Sequence, residues 1–206
     1  MVAVVPNSKP GAQSLHAGAN YRLGGASGVW LSFFWGLAEG TFFFAVPDVW
    51  ISLEALIRPA RTWRHVLAAT TGALVAGMLL YNWSARHREH AQSFVEQVPF
   101  VRPRMVENVH RSYQKRGIGA IFLGPLTGTP YKIYAVEAPA FMNESALLLA
   151  TIPARAERFL LVWGAFGAVG SQLRRRFETS NRHLIAGHGC FWVFFYALYW
   201  GMIVLR

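Results

Sequence analysis

The sequence is poor in cysteine and in acidic residues. Cys190 is the one cysteine among 206 residues, so the chain forms no internal disulfide and has no Cys-rich metal site. Charged residues make up 15% of the chain, whereas soluble domains carry about 25%. The histidines are not spaced as zinc ligands, and no glycine-rich nucleotide loop or catalytic motif is visible. The sequence therefore predicts neither an enzyme nor a protein with a metal or another cofactor.

Apolar and basic residues are abundant instead. Apolar residues account for 53% of the chain and aromatic residues for 15%, which is typical of membrane proteins. Basic residues beside apolar spans contact anionic lipid headgroups, so we expect membrane lipids and not nucleic acid as partners of this chain. The protein is expected in a bacterial inner membrane or an organellar membrane. The net charge of +10 comes from basic residues that border apolar segments, namely Arg58, Arg61, Arg64, Arg86, Arg88, Lys115, Arg116 and Arg174–Arg176.

The first half of the chain contains one interrupted and one uninterrupted apolar segment. Segment 28–57 is broken at Pro47, which removes a backbone donor and disfavours helix at the preceding residue. This pattern fits either a helical hairpin that enters and leaves on the same side of the membrane or one kinked span. Segment 65–83 is a straight span. Residues 85–116 are polar and basic, and they predict an extramembrane connection with an amphipathic helix around Met105–Lys115.

The second half repeats this order. Segment 118–153 is apolar but broken, above all at Pro130, and segment 154–172 predicts a second span. Two interrupted segments in corresponding positions of two halves indicate a transporter site. We therefore expect an all-α membrane protein with two re-entrant hairpins in a pseudo-two-fold inverted repeat, plus about three transmembrane helices. The third of these is an extra C-terminal helix at 184–206, and residues 1–27 are expected to form a flexible or surface arm.

Acidic side chains lie within the first interrupted segment. An unpaired charge in hydrocarbon costs roughly 2.5–3.5 kcal/mol or more, so such residues usually form pairs or line a wet cavity. Glu39 and Asp48 are candidates for proton coupling during transport. Alternatively, each carboxylate is a structural partner of an arginine, and Asp48 also has the position of a helix cap after Pro47.

Basic side chains occupy the second half in a similar way. Arg155 and Arg158 are three residues apart and share a helix face, where guanidinium groups suit a phosphate or lipid headgroup. The alternatives for these arginines are an ion pair with Glu157, Glu137 or Glu39, or extension of the side chain to the membrane interface. Lys132 either meets a headgroup at the tip of the second hairpin or balances Glu137, and we favour the balance.

Several short motifs resemble a known family. They are Glu39-Gly-Thr-Phe-Phe-Phe-Ala-Val-Pro47-Asp48, Pro130-Tyr131-Lys132 and Arg155-Ala-Glu-Arg158-Phe159, in this order within residues 30–170. The chain resembles the DedA superfamily, also called VTT-domain or SNARE-associated Golgi proteins, and most closely its YqaA-like branch. The resemblance implies two opposed re-entrant hairpins. It also implies a lipid transporter or scramblase that moves phospholipid or polyprenyl phosphate between leaflets, with proton coupling in some members.

Carried over by motif, Glu39 and Asp48 match the membrane carboxylates of that family, and Arg155 and Arg158 match its arginines after the second hairpin. The chain also departs from the family pattern, since Glu137-Ala138 replaces the usual Ala-Gly. These departures and the aromatic last segment support a second hypothesis, in which the chain is a structural or assembly subunit of a larger membrane complex. Its protein partners would then be other subunits of that complex, whereas a small homo-oligomer is expected of the transporter.

Overall fold

The structure is a computed structural model that describes residues 25–204. These residues form α-helices and short 3-10 helices and contain no β-strand, which confirms the all-α class for the described part of the chain. Most of the arm expected at 1–27 lies outside the described residues, and the first helix begins at Ala26. The helices are α1 (Ala26–Thr41), α2 (Asp48–Ile57), α3 (Trp63–Arg86), α4 (Arg88–Glu96), α5 (Pro103–Arg116), α6 (Gly124–Thr127), α7 (Tyr131–Glu137), α8 (Glu144–Phe177) and α9 (Asn181–Val204).

Two helices of the described part are long and apolar enough to cross a membrane. They are α3, with 24 residues, and the 22 residues Asn181–Met202 of α9. Both correspond to spans that the sequence predicts. The 34-residue helix α8 contains the third expected span, but it does not meet the same criterion of length and composition. Charged residues open and close its apolar stretch, from Arg155 to Arg174–Arg176.

Helix α8 begins well before the span predicted at 154–172. Asn143 caps its N-terminus, because the side-chain Oδ1 accepts a hydrogen bond of 2.8 Å from the backbone N–H of Ala146. The helix continues through Pro153, whose ring nitrogen cannot donate to the carbonyl of Leu149. Pro153 and Leu149 are both exposed, so this loss does not disrupt the interior. The predicted division between segments 118–153 and 154–172 therefore differs from the observed helix boundary.

Small residues bring α1 and α3 into close contact. Gly36 lies against Ala69, and Gly40 lies farther along against Ala76, so the two helices run in the same direction. A Cβ atom on Gly36 or on Gly72 would overlap backbone atoms of the facing helix. Close approach of this kind lets helices associate by van der Waals contact without a hydrophobic driving force.

Helix α8 runs antiparallel to α3. Near the end of α3, Asn82 donates a hydrogen bond of 2.8 Å to Glu144 at the start of α8. Near the start of α3, Ala69 packs in a small apolar cluster with Phe159, which lies farther along α8. Helices α3 and α8 thus form an antiparallel pair that the shorter elements contact.

Helix α2 runs back along the direction of α1. Asp48 at its start contacts Arg158, and Leu56 near its end contacts Gly170, so α2 is parallel to α8 and antiparallel to α1 and α3. The chain therefore goes out along α1, turns at residues 42–47 and returns along α2 to the start of α3. We call residues 42–47 the first turn.

The segment before α8 folds in a similar way at the other end of α3. Helix α7 runs parallel to α3, because Tyr131 lies against Gly77 and Ser84 donates 2.7 Å to the carbonyl of Val136. Helix α5 is antiparallel to α7, and the chain reverses between α6 and α7 at residues 128–130. Gly128 has a φ of 70° there, a conformation that a residue without Cβ adopts at little cost. We call residues 128–130 the second turn.

The apolar side chains divide between a buried core and an exposed belt. The larger core cluster joins α3, α4, α5, α7 and α8 and includes Tyr113, Tyr131 and Leu147. Large apolar side chains also remain exposed on α8 and α9, for example Leu149 at 69% and Val193 at 72% exposure. Exposed apolar surface of this extent is typical of a lipid or protein contact surface.

Candidate functional site

The two turns meet inside the molecule. The Nζ atom of Lys132, at the start of α7, donates a hydrogen bond of 3.1 Å to the carbonyl oxygen of Phe43 in the first turn. Each predicted break lies at its turn, since Pro47 immediately precedes α2 and Pro130 immediately precedes α7. The side chain that follows the second turn therefore reaches the backbone of the first turn, and residues of both turns line one cavity.

A buried ion pair lies beside this contact. The carboxylate of Glu39, near the end of α1, pairs with the guanidinium of Arg155 on α8, and the two residues are 4% and 3% exposed. The guanidinium also lies over the rings of Tyr131 and Phe159, at 5.3 and 5.1 Å from their centres. The Nε atom of Arg155 is buried without a hydrogen-bond partner among the described residues.

A second ion pair lies one turn farther along α8. Arg158 approaches Asp48 with both ends of its guanidinium fork, Nη2 to Oδ2 at 2.5 Å and Nε to Oδ1 at 3.2 Å. Asp48 is 1% exposed, whereas the Arg158 side chain is 27% exposed. Asp48 lies in the first turn of α2, and its carboxylate accepts both hydrogen bonds of Arg158. Helix α8 thus uses one face to hold both carboxylates.

The prediction that Lys132 balances Glu137 is wrong. The two residues are five positions apart on α7, and at about 100° per residue they point to different faces of the helix. Lys132 is 1% exposed, and its charge interacts instead with Glu39 and Arg155. It is therefore a third buried cation in the group formed by the two ion pairs.

Glu137 belongs to a separate network that sequence reasoning did not find. Its carboxylate accepts hydrogen bonds from Arg88 at 3.0 Å and His110 at 2.8 Å, and it also accepts one from Gln92. These donors lie on α4 and α5, so the network fastens the basic connection to the end of α7. On the same face of α5, burial raises the pKa of the Tyr113 phenol, whose hydroxyl donates to the carbonyl of Tyr134.

A cavity of about 400 Å³ opens beside the ion pairs and the second turn. Its polar side is formed by Glu39, Lys132, Arg155 and Arg158, with the exposed Glu157 at the edge. Asp48 lies behind Arg158, so three cations face two buried carboxylates in this group. Its other side is largely aromatic and is formed by Phe44, Phe100, Trp192, Phe195, Tyr196, Tyr199 and Trp200.

Helix α9 supplies most of the aromatic wall and is attached to the first half of the chain by polar contacts. Ser52 on α2 bonds to His188 at 2.8 Å and accepts a bond of 3.0 Å from the indole of Trp192. The backbone N–H of Val46 in the first turn donates 3.0 Å to the Tyr196 hydroxyl. The sequence indicated an aromatic surface on this helix but not that this surface would face a cavity.

Phe100 closes the aromatic wall from the connection between α4 and α5. Its ring stacks on Trp200 with centroids 5.1 Å apart and planes 7° from parallel, and it also contacts Phe44. Its φ of 70° is unfavourable for a bulky residue and costs of order 1–3 kcal/mol. The stacking on Trp200 holds Phe100 in this conformation, so the connection between α4 and α5 packs against the cavity.

Comparison of the chain with models of known protein families, with curated proteins and with solved structures found no match. The resemblance to the DedA superfamily therefore stays a prediction from sequence motifs. No group of three His, Cys, Asp or Glu side chains in the range 25–204 is arranged to hold a metal ion. What the described site offers chemically is a set of fixed cations and carboxylates beside an aromatic wall.

Proposed function

We propose that this chain is an integral membrane lipid transporter or scramblase that moves phospholipid or polyprenyl phosphate between leaflets. The observation that carries the proposal is the meeting of the two turns at Lys132, beside two ion pairs and a cavity. Charged groups inside a membrane segment usually mark a transport path, and irregular backbone at membrane depth is tolerated where it lines a cavity.

The chain directions support two re-entrant hairpins. The α1–α2 unit begins and ends beside the start of α3, whereas α7 ends beside the end of α3, where Ser84 donates to Val136. The order α1, α2, α3 is followed by the order α6, α7, α8, and the two long helices of these groups are antiparallel. In our proposal these groups are inverted repeats, and the two turns lie near the middle of the bilayer.

The charges suit a phosphate group. Lys132 hydrogen-bonds only a backbone carbonyl among the described residues, and Arg158 is the most exposed of the three cations. A phosphate entering the cavity would gain charge-assisted hydrogen bonds from these two side chains. Glu39 and Asp48 fix the arginines in place, and either carboxylate could accept a proton as the cargo leaves.

Leaflet exchange in reconstituted vesicles tests this function. We expect the natural chain to expose a fluorescent phospholipid of the inner leaflet to a reductant outside. Arg158→Ala and Lys132→Met should each slow this exchange, because a charge-assisted hydrogen bond of about 1.5–3 kcal/mol corresponds to roughly 10- to 100-fold in rate.

Arg111→Ala is the matched control, because this arginine on α5 is exposed and contacts residues of its own helix, Asn108 at 2.6 Å and Glu107 at 3.9 Å. It should exchange lipid at the natural rate. Elution as a single species and unchanged helix content would show that each variant is folded. No exchange by the natural chain, or equal rates for all four proteins, would overturn the proposal.

The outer face of α9 favours the second candidate function, a structural or assembly subunit. Val193, Phe194 and Leu198 are 72%, 64% and 51% exposed, a surface that either lipid or another subunit could cover. Purification in mild detergent separates the two functions. A small homo-oligomer supports the transporter, whereas stable stoichiometric migration with a large complex supports the subunit.

A further inference from the structure

Helices α8 and α9 touch each other mainly near their connection. Phe166 on α8 packs against His188 and Phe191 on α9, with ring centroids 6.0 and 5.5 Å apart. The hydrogen bond between the two helices in the described chain joins Arg174 to Asn181 at 2.9 Å, at the same end. Farther from the connection, the two helices are separated by the cavity.

The edge of the cavity between these helices is apolar and reaches the surface. Leu161 on α8 and Phe195 on α9 both line the cavity, although they are 66% and 44% exposed. Arg158, one helical turn before Leu161, also lines the cavity but turns its guanidinium inward to Asp48. A path from the surface inward therefore passes two apolar side chains and then reaches the cations.

The size of the cavity decides which part of a lipid it can contain. A volume of about 400 Å³ lies at the small end of the range of small-molecule pockets, about 300–1,000 Å³. That space suits a phosphate headgroup, whereas the acyl chains of one leaflet fill half of a hydrocarbon core about 30 Å thick. A lipid that places its headgroup in the cavity must therefore leave its chains outside.

The other edge of α9 is closed. Ser52 and Val46 hold it against α2 and the first turn through hydrogen bonds with His188, Trp192 and Tyr196. By contrast, α8 and α9 share no hydrogen bond at the level of Leu161 and Phe195 in the part of the chain that the structure describes. The edge between α8 and α9 is thus the side on which the cavity is bordered by exposed apolar side chains rather than by polar contacts.

We propose that the gap between Leu161 and Phe195 is a lateral portal, through which an anionic lipid places its phosphate at Arg158 and Lys132 while its hydrocarbon chains remain in the bilayer. This inference rests on the proposed function and specifies the route and the orientation of the cargo. It also assigns a role to α9, which lies beyond the segments that resemble the DedA superfamily.

Cross-linking across the portal tests the route. In a Cys190→Ser background, Leu161→Cys and Phe195→Cys are combined and joined by a short bismaleimide, whose thioether links resist the reductant of the exchange assay. The matched control combines Phe166→Cys and Phe191→Cys, which join the same two helices where they already pack. We expect cross-linking to reduce exchange to the rate of protein-free vesicles in the first pair only.

The outcomes separate the portal from the function itself. Full exchange after complete cross-linking of both pairs would overturn the portal and leave the transporter in place. Loss of exchange after cross-linking of both pairs would also overturn the portal. The inhibition would then come from joining α8 to α9 and not from blocking the gap between Leu161 and Phe195. Absence of exchange before any cross-linking, in the unsubstituted chain as well, would overturn the proposed function and the portal together.

A second measurement distinguishes a lipid from a soluble phosphate as the source of the headgroup. Vesicles containing the chain are given labelled glycerol 3-phosphate in the external solution. We expect no uptake, because the portal opens toward hydrocarbon. Uptake of glycerol 3-phosphate that continues after the Leu161→Cys/Phe195→Cys variant is cross-linked would assign the cations to a water-soluble cargo and overturn the portal.

Discussion

The charged residues beside the cavity form two ion pairs, Glu39 with Arg155 and Asp48 with Arg158. Glu39 and Arg155 are both nearly inaccessible to solvent, so each would be a costly isolated charge. Desolvation of two such groups offsets much of their attraction, and replacing a whole buried pair by apolar residues is often neutral or stabilising. Removing one partner is different, because it leaves the other charge buried and uncompensated.

This asymmetry predicts the stability of variants at Glu39. Glu39→Met should destabilise the chain by about 3–5 kcal/mol, because Arg155 then lacks its partner. The double variant Glu39→Met/Arg155→Met should recover most of that loss. Thermal unfolding of the three proteins in the same detergent measures both effects. If Glu39→Met unfolds at the natural temperature, or if the second substitution adds a further loss, the pair does not have the role described here.

The sequence was sufficient to predict which charged residues belong to the site, but not which of them pair with each other. Location in an apolar segment, together with the resemblance to the DedA motifs, selected Glu39, Asp48, Arg155 and Arg158, and an ion pair was one of the alternatives for each. The pairing of Glu39 with Arg155 depends on contacts between distant helices, which no local pattern encodes. Lys132 was assigned to the wrong partner for the same reason, because the donors to Glu137 come from α4 and α5 and not from its own helix.

At the scale of helices, glycines set the distance between α1 and α3. The backbone of one helix occupies the space that a side chain at Gly36 would need on the other. Gly164 on α8 has no atom within 4 Å of the position of such a side chain. The two glycines therefore differ in surroundings although both are helical.

Alanine substitutions should separate these two positions. Gly36→Ala should destabilise the chain by about 1–3 kcal/mol, because the added methyl group forces α1 away from α3. Gly164→Ala should be neutral or stabilising by up to about 1 kcal/mol, since alanine favours helix and meets no neighbour. The fraction of each variant that still elutes as a single species after heating measures both changes in stability. Equal stability of the two variants would mean that α1 and α3 are not in close contact.

Helix boundaries followed from sequence where local signals were strong. The uninterrupted apolar run at 65–83 and the amphipathic pattern at 105–115 correspond to α3 and α5 within a few residues. The start of α8 had a local signal in Asn143, a favoured N-cap residue, but the predicted division after residue 153 placed Asn143 inside the second interrupted segment. Helix α4 has only Ala91 and Val95 as buried apolar residues, which is too short a pattern to identify.

At the scale of the whole molecule, the account depends on how the α1–α2 and α6–α7 units enter the membrane. The described contacts bring the first and second turns together from opposite ends of α3. If these turns lie at bilayer depth, the fixed charges beside them are shielded from lipid by protein and by the hydrated cavity. Ordinary crossings would instead place one end of each unit on each side of the membrane.

Labelling of single cysteines from one side of oriented membrane vesicles tests this claim most directly. In a Cys190→Ser background, the exposed positions are Ala26→Cys and Arg61→Cys for the first unit, and Gln114→Cys and Ser145→Cys for the second. With an impermeant thiol reagent, we expect residues 26 and 61 to react from one side and residues 114 and 145 to react from the other. Reaction of 26 and 61 from opposite sides, or of 114 and 145 from opposite sides, would contradict the two re-entrant hairpins and the transport path between them.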